Sequence, residues 1–253
     1  MTRPLPIAVA LLAAASILSC SDPAKQPPPV PPGALPAGTV LGSATITGRV
    51  TYGGAPPTPL AINMASDAAC HANHDGDPVR EDLVVGAGGA LQYVFVQVVS
   101  GLPDKAFAPP AQPVQLDQRG CTYHPHMIGL QVGQPLLLVN SDPTLHNVHT
   151  VSQVNASFNF GMSVQGQKAT RYFHKPEVMV RAKCDVHPWM ASYIGVVAHP
   201  FFAVSGSDGA FTLAGLPAGE YVIEAWHERL GTLKQTVKLD DGERRQIVFE
   251  FPG

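Results

Sequence analysis

Cys184, His187 and Met190 fall within one seven-residue segment, Cys184-Asp185-Val186-His187-Pro188-Trp189-Met190, each separated from the next by two residues. A thiolate, an imidazole and a thioether form a soft donor set that selects copper over harder divalent cations. A weak axial thioether is the mark of copper sites that pass single electrons. Such a site needs a second imidazole, and Asn140-Ser141-Asp142-Pro143-Thr144-Leu145-His146-Asn147 supplies a candidate in His146. The same ligands would accept zinc, but the thioether favours copper. A binuclear copper centre is not expected, because the ligand loop has one cysteine.

Those side chains must be carried by strands. From Glu177 to Cys184, the residues in phase with Cys184 are Val178, Val180 and Ala182, and the opposite phase holds Glu177, Met179, Arg181 and Lys183. Alternation along a strand sends the thiol inward with the valines. Pro188 stiffens the loop between the later ligands. His146 follows the apolar run Leu136 to Val139 and shares a face with Val148, which leaves His149 as a surface residue. Trp189 either belongs to an apolar docking face around an exposed His187 edge or fills the loop's own packing; the sequence leaves both open.

The remaining chain also reads as strands and turns. Ala44 to Tyr52 alternates at period two, Leu91 to Val99 is a second clear strand, and no stretch sustains a helical period. After Phe202, short strands are separated by Asp208-Gly209, Gly215 to Gly219 and Asp241-Gly242, a β-sandwich rhythm. The chain is expected to be all-β. A formal net charge of −3 gives no electrostatic support for a nucleic-acid partner. No Ser-His-Asp set, carboxylate pair or phosphate loop offers a rival chemistry, and Asp185 and Glu228 stand isolated in the sequence. Trp226-His227-Glu228-Arg229 reads as a strand end with a solvated turn.

The N-terminus reads as a targeting segment. Arg3 precedes an apolar stretch from Ile7 to Leu18 that is short for a membrane span. Ile17-Leu18-Ser19-Cys20 resembles a bacterial lipobox, which implies acylation of Cys20, a lipid anchor and export to the periplasmic face of a membrane. Ser21 rather than Asp after the cysteine favours the outer membrane. Residues 21–42 are Pro-rich and are expected to form a stiff, extended tether.

Export places Cys70 and Cys121 in an oxidising compartment, where a disulfide between them is the simple expectation. The alternative is a second metal site, since Cys70-His71-Ala72-Asn73-His74 and Cys121-Thr122-Tyr123-His124-Pro125-His126 each cluster three potential ligands. His124 and His126 are the candidates for secondary metal binding.

Two family resemblances organise these readings. Gly48-Arg49-Val50, Val94 to Val98, Asp208-Gly209, Phe211-Thr212-Leu213 and Leu216 to Tyr221 resemble the carboxypeptidase regulatory-like (transthyretin-like) sandwich. The segment between its halves resembles a Greek-key cupredoxin of the plastocyanin/amicyanin kind. It carries Val132-Gly133-Gln134, a strand to Asn140, His146-Asn147, then a Pro176-led strand ending in Cys184, His187 and Met190. The resemblance implies one type 1 copper held equatorially by His146, Cys184 and His187 and axially by Met190. It also implies that Asn147 ties the two ligand loops together. The expected division is a leader over 1–20, a linker over 21–42, a split sandwich over 43–113 and 200–253, and a cupredoxin over 114–199. The function implied is one-electron transfer to a partner protein, without catalysis. Copper storage or delivery, or a structural module binding protein or glycan, are the alternatives.

Overall fold

Period-two burial, as the sequence pattern requires, dominates the computed structural model, which describes residues 22–72, 74 and 78–253. The leader over 1–20 and the lipidation candidate Cys20 lie outside the described residues. Strands β1 (Ala44–Tyr52) and β2 (Phe95–Ser100) come first, with a five-residue helix, α1 (Ala68–Ala72), in the long segment between them. Nine strands then follow: β3 (Val114–Arg119), β4 (Thr122–His124), β5 (Met127–Gln131), β6 (Leu136–Asn140), β7 (His146–Val151), β8 (Asn159–Met162), β9 (Lys168–Arg171), β10 (Glu177–Lys183) and β11 (Ala191–Val197). The chain closes with β12 (Phe202–Val204), β13 (Ala210–Leu216), β14 (Gly219–His227), β15 (Gly231–Leu239) and β16 (Arg244–Phe251).

The sheets group by sequence in a nested way. β1, β2 and β12–β16 make one pair, with strand orders β13-β1-β16 and β12-β2-β14-β15. β3–β11 make the other, ordered β4-β3-β6-β9 and β5-β11-β10-β7-β8. Each pair encloses its own apolar core. Ile46, Val50, Phe211, Leu213, Phe249 and Phe251 meet Val96, Ile223, Ala225 and Val237 in the first. Leu116, Tyr123, Leu136 and Leu138 meet Ile128, Leu130, Val148, Val180 and Ile194 in the second. Full burial of such side chains contributes about 2 kcal/mol each. The chain is all-β, as its alternation indicates.

Two glycines set how the sandwiches meet. Gly129 on β5 and Gly195 on β11 are register partners. A Cβ at Gly195 would sit 2.5 Å from the Phe95 ring, and one at Gly129 would sit 2.4 Å from the Phe202 ring. Their bare backbones form the slot in which the two aromatic rings of the first sandwich lie against the second.

The Pro-rich segment departs from the expected free tether. Ala24 is buried in the second core, and its carbonyl accepts from the Tyr172 N–H at 2.8 Å. The Leu35 N–H donates to Ala106 O at 2.8 Å, and the Leu41 N–H donates to Gly215 O at 2.9 Å. Proline denies the segment donors, yet its carbonyls and its few N–H groups bind the folded body. Composition reports extended chain but not what that chain lies on.

Inward alternation on β10 holds at Val180, Ala182 and Cys184 and fails at Val178. Pairing with β11 shifts register between Glu177 and Val180, so Glu177 turns inward instead. Glu177 accepts from the Ser152 hydroxyl, from the Gln153 N–H at 2.5 Å, and from Asn155 N and Nδ2 at 3.0 Å each. Burial opposes ionisation there, but these hydrogen bonds prevail and bring the carboxyl down to about 2 from 4.5. A depressed carboxyl stabilises the fold above its unfolded pKa and loses that contribution as pH falls through the folded value. Its contribution of ~3 kcal/mol should be complete above pH ~4.5 and fade towards pH ~2. Urea unfolding of wild type and Glu177→Gln across that window should differ in slope by this carboxyl; parallel curves would contradict it.

Candidate metal centre

The end of β6 sets up the first imidazole. Asn140 Nδ2 donates to Thr144 O at 3.0 Å and Met162 O at 2.9 Å, while its Oδ1 accepts the Asp142 N–H at 3.0 Å. That turn buries Asp142, whose carboxylate accepts from Gly120 N at 2.7 Å and Cys121 N at 2.8 Å. The same carboxylate holds His146 Nε2 at 2.9 Å, fixing the ring so that Nδ1 points into the site. Outer carboxylates of this kind orient ligating histidines and raise their basicity.

The second loop is a tight turn between β10 and β11. The Met190 N–H donates to His187 O at 3.0 Å, the Cys184 N–H donates to Met190 O at 3.3 Å, and the His187 N–H reaches Cys184 Sγ at 3.4 Å. Asn147 joins the loops: its Oδ1 accepts from Asp185 N at 2.7 Å and from the Cys184 thiol at 3.3 Å, and its Nδ2 donates to Asp185 at 3.0 Å. Asp185 is therefore not isolated; Lys183, His149, Asn147 and Asn159 surround its carboxylate and hold it well below the usual range.

His146 Nδ1 and His187 Nδ1 lie 2.9 Å apart, and Cys184 Sγ is 3.9 Å from His187 Nδ1. The three ligand atoms all fall within 4.8 Å of one another, and all three residues are buried. Met190 is buried in the same core and closes the loop through its backbone. Burial alone would push the thiol up, but the hydrogen bond from His146 and the N–H groups of Asn147, His187 and Val186 bring it down. His146 is opposed by burial as well, yet Asp142 and Cys184 raise it to about 9. A thiol of lowered pKa facing two inward nitrogens is a donor set fitted to a soft cation, whose arrival displaces protons.

The outer edge of His187 is closed rather than exposed, contrary to the docking edge the sequence allowed. The ring is 2% accessible. Its Nε2 meets Asp67 Oδ2 at 3.1 Å and Cys70 Sγ at 3.5 Å. Cys70 is disulfide-bonded to Cys121. Ile62, Met64, Cys70 and Cys121 form a small core of their own, against which Trp189 packs, and the indole N–H donates to Cys121 O at 2.9 Å. Trp189 thus fills packing beneath a cap formed by the segment between β1 and β2. Asp67 escaped sequence reasoning, standing 120 residues from its imidazole. Asp142 lies four residues before His146 in a Ser-Asp-Pro turn, a signal that was there to be used.

His124 and His126 point to separate partners. His124 Nε2 pairs with Thr122 Oγ1 at 2.7 Å. His126 is buried against Glu228, with Glu81 3.9 Å from its other nitrogen. Among the described residues, neither belongs to a set of three ligand atoms close enough to hold one ion. β14 ends at His227 in a turn whose Arg229 is exposed, as expected, but Glu228 is not isolated: His126 draws its carboxylate inward. His149 sits half-buried beside Asp185 at 2.9 Å.

No protein-family model and no curated protein matches the chain. Three solved copper proteins are similar to part of it. A copper(I) amicyanin variant is 20% identical over 40% of this chain and 97% of its own, with a TM-score of 0.31. A purple cupredoxin from Nitrosopumilus maritimus is 19% identical over 32% and 97%, with a TM-score of 0.29. A copper-containing nitrite reductase from Thermus scotoductus SA-01 is 22% identical over 38% of this chain, which spans only 25% of that enzyme, with a TM-score of 0.32.

Proposed function

We propose that this chain is an exported, lipid-anchored protein that holds one type 1 copper and passes single electrons to a partner protein. In this reading, residues 114–199 form a cupredoxin inserted into a carboxypeptidase regulatory-like sandwich over 43–113 and 200–253. The observation that carries it is the convergence of His146 Nδ1, His187 Nδ1 and Cys184 Sγ in one buried pocket. These three residues, with Met190 from the same loop, would hold the ion.

Bound copper would supply a one-electron couple. The chain's part is to keep the ligands still while charge changes. Asp142 and Asp67 each fix an imidazole from its outer side. Asn147 fixes the thiol loop to the β7 strand. The disulfide-bonded cap and the core around Val180 and Val148 exclude water. Carrier rather than enzyme is the reading this supports, since the ligands are enclosed on the His187 side as well.

The test is spectroscopic. Copper(II)-loaded protein should show an intense visible thiolate-to-copper band, and Cys184→Ser should abolish it entirely while leaving the far-ultraviolet circular dichroism unchanged. A copper-loaded wild type without colour would reject the assignment.

A further inference from the structure

His187 faces two clusters of donors. Its Nδ1 looks towards His146 and Cys184, whereas its Nε2 looks towards Cys70 Sγ and Asp67. On the outer side, Cys70 Sγ, Cys121 Sγ and a His187 ring nitrogen lie within 4.8 Å of one another. Cys121 Sγ, an Asp142 oxygen and a His146 nitrogen form another such set. Cys70 and Cys121 are fully buried, and Asp67 is the member that reaches solvent, at 26% side-chain exposure. While the two sulfurs are bonded to each other, this cluster is a latch. Thiolates, not disulfide sulfurs, are metal ligands.

We propose that reduction of the Cys70–Cys121 disulfide creates a second soft-metal site, formed by both thiolates and the outer nitrogen of His187, that takes copper(I). The reductant is a dithiol. It delivers two electrons and two protons, the S–S bond breaks, two S–H groups form, and the dithiol leaves as its own disulfide. Copper(I) then displaces the two thiol protons and, where Nδ1 already holds the inner ion, the Nε2 proton of His187 as well; all are released to water, and Asp67, freed from His187 Nε2, takes water in its place. Thiolate pairs select copper(I) because both partners are soft. Shared use of His187 places the second ion against the first site, so the oxidation state of one disulfide would set whether the chain holds one copper or two. The site draws on Cys70, Cys121 and His187, and stands whether or not the inner site is a blue-copper centre.

Full-length protein should be titrated anaerobically with copper(I) against a chromophoric copper(I) chelator, with and without prior treatment by a water-soluble phosphine. Wild type should hold one copper when oxidised and two when reduced. Cys184→Ser, which disables the inner site, should hold about one only when reduced. Cys70→Ser/Cys121→Ser should not gain a second copper under either condition. Equal stoichiometry before and after reduction of wild type would overturn the proposal. If the phosphine abolishes the near-ultraviolet circular dichroism, copper(I) should restore it, and failure to do so counts against the site. Failure of the blue-copper reading would show separately, as an absent visible band in the oxidised, copper(II)-loaded chain.

Discussion

Exchanging Cys70 and Cys121 for serine should destabilise the metal-free protein by about 4 kcal/mol, on the chain-entropy estimate for a closed loop of this length. The loop spans 51 residues. For a chain of this size that corresponds to a drop in melting temperature of roughly 8–16 °C. A second consequence is specific to the place of the bond. With the disulfide gone, the cap over His187 is held by Asp67, by the packing of Ile62 and Met64 against Trp189 and by His74 on the Gly120 carbonyl. Removal of copper by an external chelator should then accelerate by at least about tenfold, since local opening now costs less than before. Calorimetry and stopped-flow chelation read the two effects separately. A large loss of melting temperature with an unchanged chelation rate would mean that the bond braces the fold without guarding the metal ligand.

What the sequence made legible was local. Cys184, His187 and Met190 share one loop, and His146 and Asn147 sit together at a strand start, so ligand types and spacing could be read directly. Alternation correctly sent Val180, Ala182 and Cys184 inward: Val180 and Ala182 pair in register with β11, and Cys184 continues their phase just past the strand end. It failed at Val178 and Glu177, where a register shift exchanges the faces, and no periodicity marks that shift in advance. The cap was invisible for another reason. Asp67 and Cys70 reach His187 from 120 and 117 residues away, and no local pattern encodes which surface a loop will cover. The same holds for Ala24, whose burial depends on a groove built by a distant strand. Gly129 and Gly195 left a fainter trace: glycine within a strand commonly marks close approach by another group. That group, Phe95 or Phe202, is supplied by the other sandwich.

Asp142→Ala should be the most damaging single change outside the four proposed ligands. The carboxylate is 3% exposed and satisfies three donors at once: the N–H groups of Gly120 and Cys121 and the Nε2 of His146. Alanine leaves the buried Cys121 N–H unpaired, at a cost of ~1–3 kcal/mol, and takes the acceptor from the part-buried Gly120 N–H as well. It also frees the His146 ring to turn, and loss of such an outer partner typically lowers metal affinity about 10- to 100-fold. In the metal-free chain, against the opposing effect of burial, Asp142 together with Cys184 raises the imidazole to about 9. A raised imidazole stabilises fully below its unfolded pKa of 6.5, and the contribution disappears as pH rises through the folded value. Wild-type metal-free protein should therefore lose stability between pH ~6.5 and ~9, and Asp142→Ala should lose much less over the same interval. Asp142→Asn, which keeps one acceptor oxygen and the side-chain shape, should recover part of the stability but not the pH dependence. Denaturant unfolding across pH and copper competition at one pH separate the roles. Full copper affinity in Asp142→Ala would reduce Asp142 to a brace for the Gly120–Cys121 turn, with no hand in orienting the ligand.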